Sequence, residues 1–256
     1  MHTKSALVIA DSVNTDYRKD LQYGYNVTIP VFSEVTDAEV TPGTELTPGD
    51  SAGTPVTLTV NKWRGVAHEI SQMSKIESYA DYFGKCAQSQ AYRIAKRVDI
   101  DLGALFSALN SSSVYGADGQ TMTDDIILAL METLDEADVP AETRVIIGDP
   151  STRADMLMID KFIKTDYVRT PVVGSGVFGD IYGMSCRWTN NLTAATTGNY
   201  GVMMHRDALG LVMQDEPTPE IIPMPWQHRV LIQTKVIYGV GELRDTFGKS
   251  FYTRKS

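Results

Sequence analysis

The chain has 256 residues, 43% of them apolar and 21% charged, with a formal net charge of −9. That length and apolar content supply a full hydrophobic core and exclude wholesale disorder. The acidic balance argues against a protein whose main task is gripping a phosphate backbone, because such binding rests on a basic footprint. The two cysteines, Cys86 and Cys186, form no CxxC pair and read as small buried residues of a reducing cytoplasm. No run reaches the ~18 consecutive apolar residues of a membrane span. The first residues carry no secretory hydrophobic core, so synthesis in the cytosol is expected.

Residues 1–22 are weakly patterned and read as a short arm, mobile or docked. Val27, Ile29 and Val31 then alternate with Asn26, Thr28 and Pro30, a strand whose proline points to an edge position. A second alternating run places Val56, Leu58 and Val60 against Thr57, Thr59 and Asn61. The connection between them is rich in Pro and Gly and far longer than a hairpin turn. From Asp20 to Asn61 there is no Lys or Arg, while Asp20, Glu34, Asp37, Glu39, Glu45 and Asp50 supply six negative charges. The reading is a projecting, acidic, two-stranded arm that must rest on another surface, since an isolated hairpin is marginal in water. A solvated loop is the plainer alternative.

The strongest helical signal follows. Ile70, Met73, Ile76, Ala80, Phe83, Ala87, Ala91, Ile94 and Val98 recur at spacings of three and four. Ser74 and Glu77 resemble a capping box, and a helix from there to Val98 would span roughly 37 Å. Lys85, Arg93, Lys96 and Arg97 gather positive charge in its later turns. That charge suits the helix dipole, and it also complements an acidic arm from a neighbouring copy.

Residues 110–123 read as a polar breaker, after which Thr123 caps a helix bearing Ile127, Leu130, Met131 and Leu134. Val145, Ile146 and Ile147 form a short buried strand, closed by Gly148, with Asp149 and Pro150 opening another helix. Beyond Thr170 the pattern is β, through Ile181, Met184, Tyr200, Val202, Leu209 and Leu211, until Pro217, Pro219, Pro223 and Pro225 interrupt it. A long last strand carries Val230, Ile232, Val236, Tyr238 and Val240, and the tail from Lys249 to Ser256 is basic.

No constellation of residues offers a reaction. Gly174 to Gly179 spells GxGxxG, but Asp180 to Met184 reads as strand and turn, so no helix N-terminus is available to a pyrophosphate. His2, His68, His205 and His228 share no metal-ligand spacing. Asp124, Asp125, Glu132, Asp135, Glu136 and Asp138 read as a solvated helix face rather than an acid–base pair. No catalytic residue, cofactor or metal is assigned.

Several phrases, in this order and spacing, carry a resemblance. They are Val60-Asn61-Lys62-Trp63 running into Ala67-His68-Glu69-Ile70-Ser71, and Arg97-Val98-Asp99-Ile100-Asp101 at the end of the long helix. Val139-Pro140-Ala141 follows, then Arg144 to Pro150, and Gly176-Val177-Phe178-Gly179-Asp180-Ile181-Tyr182-Gly183. From about residue 20 onward the chain resembles the major capsid proteins of tailed bacteriophages with the Hong Kong 97-like fold.

The resemblance implies an α+β fold with a long spine helix, an extended β-hairpin arm (the E-loop), and peripheral and axial domains. It divides the chain into an N-terminal arm (1–23), the extended loop (24–62) and a peripheral domain with the spine helix (63–122). An axial domain (123–219) follows, then the return strand of the peripheral domain with the C-terminal tail (220–256). It implies a non-enzymatic structural protein that assembles with itself into pentamers and hexamers of an icosahedral head enclosing double-stranded DNA. The DNA would be touched weakly and non-specifically. A scaffolding protein and a portal are implied partners, membranes are not, and assembly is expected in the bacterial host cytoplasm with the virion as destination. The intersubunit contact would join Glu34, Asp37, Glu39, Glu45 and Asp50 to Arg93, Lys96 and Arg97. The alternatives are an encapsulin-like nanocompartment shell and a soluble α/β enzyme.

Overall fold

Val145, Ile146 and Ile147 set the centre of the molecule. A computed structural model describes residues 7–19, 24–30, 43, 53–71, 82–159, 161 and 180–255, with the backbone alone at Arg18, Lys19 and Tyr82. In it, Arg144–Gly148 (β4) is buried along its whole length. A strand covered on both faces reads as a continuous apolar run, which is what these residues supply. It lies at the middle of a mixed five-stranded sheet with Asp180–Ile181 (β5), Met184–Trp188 (β6), Gly198–His205 (β7) and Gly248–Arg254 (β10), in the order β10-β7-β4-β6-β5. Alternate side chains serve two cores. Val145, Ile147, Val202 and Met204 face one, and Ile146, Met203 and Phe251 face the other.

The second core is roofed by Asp124–Glu136 (α1), whose Ile127, Leu130 and Leu134 are fully buried. Thr123 sits at its N-cap position without a side-chain bond to the helix. Pro150–Met156 (α2) opens as the sequence predicts, with Thr152 N–H donating to Asp149 Oδ1 at 2.8 Å and Pro150 in the first turn. Between β5 and β6 the two-residue turn Tyr182-Gly183 has φ of 52° and 80°, the left-handed pair that a tight hairpin requires. The glycine-rich run before it lies outside the described residues.

The other core is shared with a long antiparallel sheet of Lys62–Ser71 (β3), Leu209–Met224 (β8) and Arg229–Glu242 (β9), in the order β3-β9-β8. The helix Tyr82–Gly103 (α3) lies across it. At ~1.5 Å per residue its 22 residues span about 33 Å. Two sequence expectations change here. The described helix runs five residues past Val98, and Ile70 belongs to β3, paired with Val230, rather than to the helical stripe. The predicted start at Ser74 lies outside the described residues.

Pro217, Pro219 and Pro223 do not interrupt the β pattern, as the sequence led us to expect; all three lie inside β8. The reason is position. β8 is an edge strand, so a missing N–H costs no ladder bond on its open side, and register shifts between Met213 and Thr218 absorb the rest. The tail is also more than a tail, since Gly248–Arg254 pairs with β7 and buries Phe251 completely.

Asn26–Ile29 (β1) and Val56–Thr59 (β2) pair antiparallel, Val27 opposite Leu58, as the alternation predicts. Their apolar face, Val27, Leu58 and Val60, packs on Val212 with Ile237 and Leu243 beside it. Two glycines of β9 make room. A Cβ on Gly239 would lie 2.5 Å from Thr59 O, and one on Gly241 would lie 2.6 Å from Leu58 Cδ2. The N-terminal segment is docked from residue 7 to residue 17, with Ile9 and Val13 buried and Asn14 bridged to Gly210 of β8.

Candidate intersubunit surfaces

The long sheet and its helix are held in register by buried polar groups. Gln90 of α3 is fully buried; its Nε2 donates to Ile232 O at 2.7 Å, and its Oε1 accepts from Thr234 Oγ1 at 2.7 Å. The same amide lies 3.0 Å from His68 Nδ1 on β3. In the last turn of α3, Asp101 Oδ2 accepts from Tyr238 at 2.6 Å, and burial together with that carboxylate pushes the phenol well above its ordinary range. Satisfied networks of this kind fix one alignment of neighbouring elements.

Asp101 also anchors a cationic groove. Arg97 reaches its Oδ1 at 3.0 Å, and Arg64 of β3 approaches its Oδ2 at 3.9 Å. The groove between β3 and α3 has a volume of about 270 Å³ and is lined by Arg64, Arg93, Lys96 and Arg97. Two of these four cations, Arg64 and Arg97, meet the Asp101 carboxylate. Among the described residues Arg64 Nε is buried without a hydrogen-bond partner, while its guanidinium stays beside Asp101. The structure brings together the three predicted basic residues Arg93, Lys96 and Arg97. The predicted acidic partners Glu34, Asp37, Glu39, Glu45 and Asp50 lie outside the described residues. Sequence reasoning missed Arg64. The signal was available, because Arg64 stands in the inward row of β3 with Val66, His68 and Ile70.

Three other polar centres are structural ties. Asp99, fully buried on α3, accepts the backbone N–H groups of Val8, Ile9 and Ala10 at 2.8, 3.3 and 3.0 Å and so clamps the N-terminal segment. Burial pushes its carboxyl above the ordinary value, and these N–H groups with Asn191 pull the other way. Asp149 accepts from Thr152, Ser151, Asn199 and Thr253, tying α2 to β7 and β10. Burial raises its carboxyl, but the hydrogen bonds prevail and hold it below the ordinary range. At the start of α1, Asp124 accepts from Lys161 and, at 2.7 Å, from Tyr182 Oη. There too burial is outweighed, so the carboxyl titrates low and the Lys161 ammonium is held up by its partner.

None of these centres has the form of a reactive site. Burial pushes the Cys186 thiol up to about 12, which keeps it protonated and inert. His205 is held low by burial and sits between Thr143 and the Phe247 ring, while His228 occupies a left-handed turn position. Among the described residues no group of three or more His, Cys, Asp or Glu is placed to hold a metal. No helix among them is long and apolar enough to cross a membrane.

A long helix across a long antiparallel sheet, beside a second mixed sheet roofed by short helices, is the fold of bacteriophage capsid chains. A chain of Mycobacterium phage Che8 superposes with a TM-score of 0.81 at 19% identity, covering 96% of this chain and 90% of that one. In the capsid structure of the cyanophage P-SCSP1u the values are 0.75 and 15%, over 95% and 86% of the two chains. In the mature capsid of bacteriophage PhiM1 they are 0.70 and 16%, over 90% and 82%. The likeness is one of fold. No known family profile and no curated protein matches the sequence.

Proposed function

We propose that this chain is the major capsid protein of a tailed bacteriophage, building an icosahedral shell from pentamers and hexamers of itself around double-stranded DNA. The observation that carries the proposal is the likeness to phage capsid structures over most of both chains. In this reading α3 is the spine helix of a Hong Kong 97-type peripheral domain, and β1 and β2 are the base of its extended loop. The axial domain (123–219) holds α1, α2 and the strands β4 to β7, and β10 of the C-terminal segment adds to their sheet. The shell would form in the host cytoplasm with a scaffolding protein and a portal, and the virion would be its destination. Many weak contacts repeated in closed symmetry suffice for a stable particle.

The groove of Arg64, Arg93, Lys96 and Arg97 fits the acidic stretch of a neighbouring extended loop. Negative-stain electron microscopy and light scattering of the purified protein test the shell reading. Shells, tubes or capsomer rings are expected. A discrete small oligomer that never assembles, even with crowding agents, would sink it, and a copurifying cargo peptide would turn it toward a nanocompartment.

A further inference from the structure

Trp226 is 97% exposed, at the tip of the four-residue turn that joins β8 to β9. A fully exposed indole leaves a large apolar surface in water, and such a side chain is a frequent anchor of protein interfaces. The same chain carries a hollow of matching character. On the outer face of the long sheet, at the base of β1 and β2, a cavity of about 510 Å³ is lined by Tyr25, Val60, Trp63, Gln214 and Ile237. Its two aromatic walls, Tyr25 and Trp63, are each 74% exposed. The volume is in the range that accepts a bicyclic ring system. The hollow is built rather than incidental, because Val60 N–H donates to Tyr25 O at 2.7 Å and Gln214 Nε2 donates to Gly24 O at 3.1 Å.

The knob cannot fill its own socket. Trp63 pairs with Ile237 across β3 and β9, whereas the turn immediately precedes Arg229, eight residues away along β9. At ~3.3 Å per residue the two features lie roughly 26 Å apart on one rigid sheet.

We infer that Trp226 of one copy seats between Tyr25 and Trp63 of a second copy, a knob-and-socket contact between subunits. The inference rests on the shell reading, and it names one contact within it. A knob and a socket on separate parts of one surface let each subunit engage neighbours at both, the arrangement that builds rings and lattices. The contact is small and acts through repetition, so no lasting dimer is expected from it alone.

The full chain carries its own test. A photo-cross-linking phenylalanine analogue replaces Trp226 in protein labelled with nitrogen-15, which is mixed with unlabelled protein, assembled and irradiated. Heavy–light adducts to peptides containing Tyr25, Trp63 or Gln214 are expected. Adducts elsewhere, or none from assembled particles, would overturn the contact while leaving the shell reading intact. A wild-type chain that never assembles would remove both. In parallel, Trp226→Ala and Trp63→Ala should each raise the concentration at which particles first form by about tenfold or more. The double variant should be little worse than either single one. Because Trp226 is bare to solvent, an unchanged melting temperature for Trp226→Ala separates assembly from folding.

Discussion

Asp99 meets three backbone N–H groups of the N-terminal segment with one carboxylate. Asp99→Ala leaves those donors without an acceptor at a cost of about 1–3 kcal/mol each before relaxation, so about 3 kcal/mol in all is expected. Asp99→Asn keeps one oxygen acceptor and removes a charge that burial disfavours, and should lose about 1 kcal/mol. Urea unfolding of the two variants checks the order, and equal losses would show that the clamp is not what Asp99 contributes. Asp149 and Asp124 respond to pH in the other sense from Asp99. Their carboxyls are held below the ordinary value, so their stabilisation is present above an unfolded pKa of about 3.9 and is lost as pH falls through the lower folded value. Asp99, raised by burial, favours the folded chain below its unfolded value and loses that contribution as pH rises through the folded one. Melting temperatures should therefore fall less steeply below about pH 4 for Asp149→Asn than for wild type, because Asn still caps α2 without titrating.

At the scale of elements, Gly239 is the seat of the β1–β2 pair. A methyl there meets the backbone of Thr59, which cannot rotate away, so Gly239→Ala must lift β2 from the sheet. A loss of about 2 kcal/mol is expected. It should show as faster hydrogen exchange in β1 and β2 while the amides of β4 and β7 stay protected. Exchange that rises uniformly would mean that the pair is not a separable element. What the sequence told in advance follows the same local logic. Alternation at Val27, Leu58 and Val230 to Val240, the apolar run at Val145 to Ile147 and the Asp149-Pro150 start are short-range signals, and each became the element they predict. Prolines in β8 misled because an edge strand is defined by its neighbours, not by its own residues. Phe251 in a basic tail was illegible for the same reason: β7, fifty residues earlier by chain position, creates its strand. Of the candidate site, the helical cations were legible as charge at helical spacing. Arg64 was overlooked although its inward place on β3 was legible, and Trp226 was not legible, because a knob exists only once the β8–β9 turn is in place.

For the whole molecule the charge distribution makes the sharpest demand. An overall charge of −9 makes copies repel, whereas the proposed shell needs them at contact distance. On the proposed shell reading, segregation of charge would offset that repulsion. Residues 20–61 hold six acids and no base, whereas Arg64, Arg93, Lys96 and Arg97 crowd one groove with Asp101 as counter-charge. Exposed pairs contribute little one by one, so the effect belongs to the set and should weaken with salt as the screening length falls from about 10 Å at 0.1 M to about 3 Å at 1 M. Glu39→Lys with Glu45→Lys should impair assembly at low salt while leaving the melting temperature of the subunit unchanged. Arg93→Glu with Lys96→Glu should do the same from the other side. Combining the four substitutions restores opposite signs across the contact, and particle yield by light scattering should recover at least partly. Recovery would locate the acidic stretch on the groove. Four-fold variants as defective as the worse pair, or normal shells from Glu39→Lys with Glu45→Lys, would mean that the groove faces some other anion and that the arm docks by packing alone.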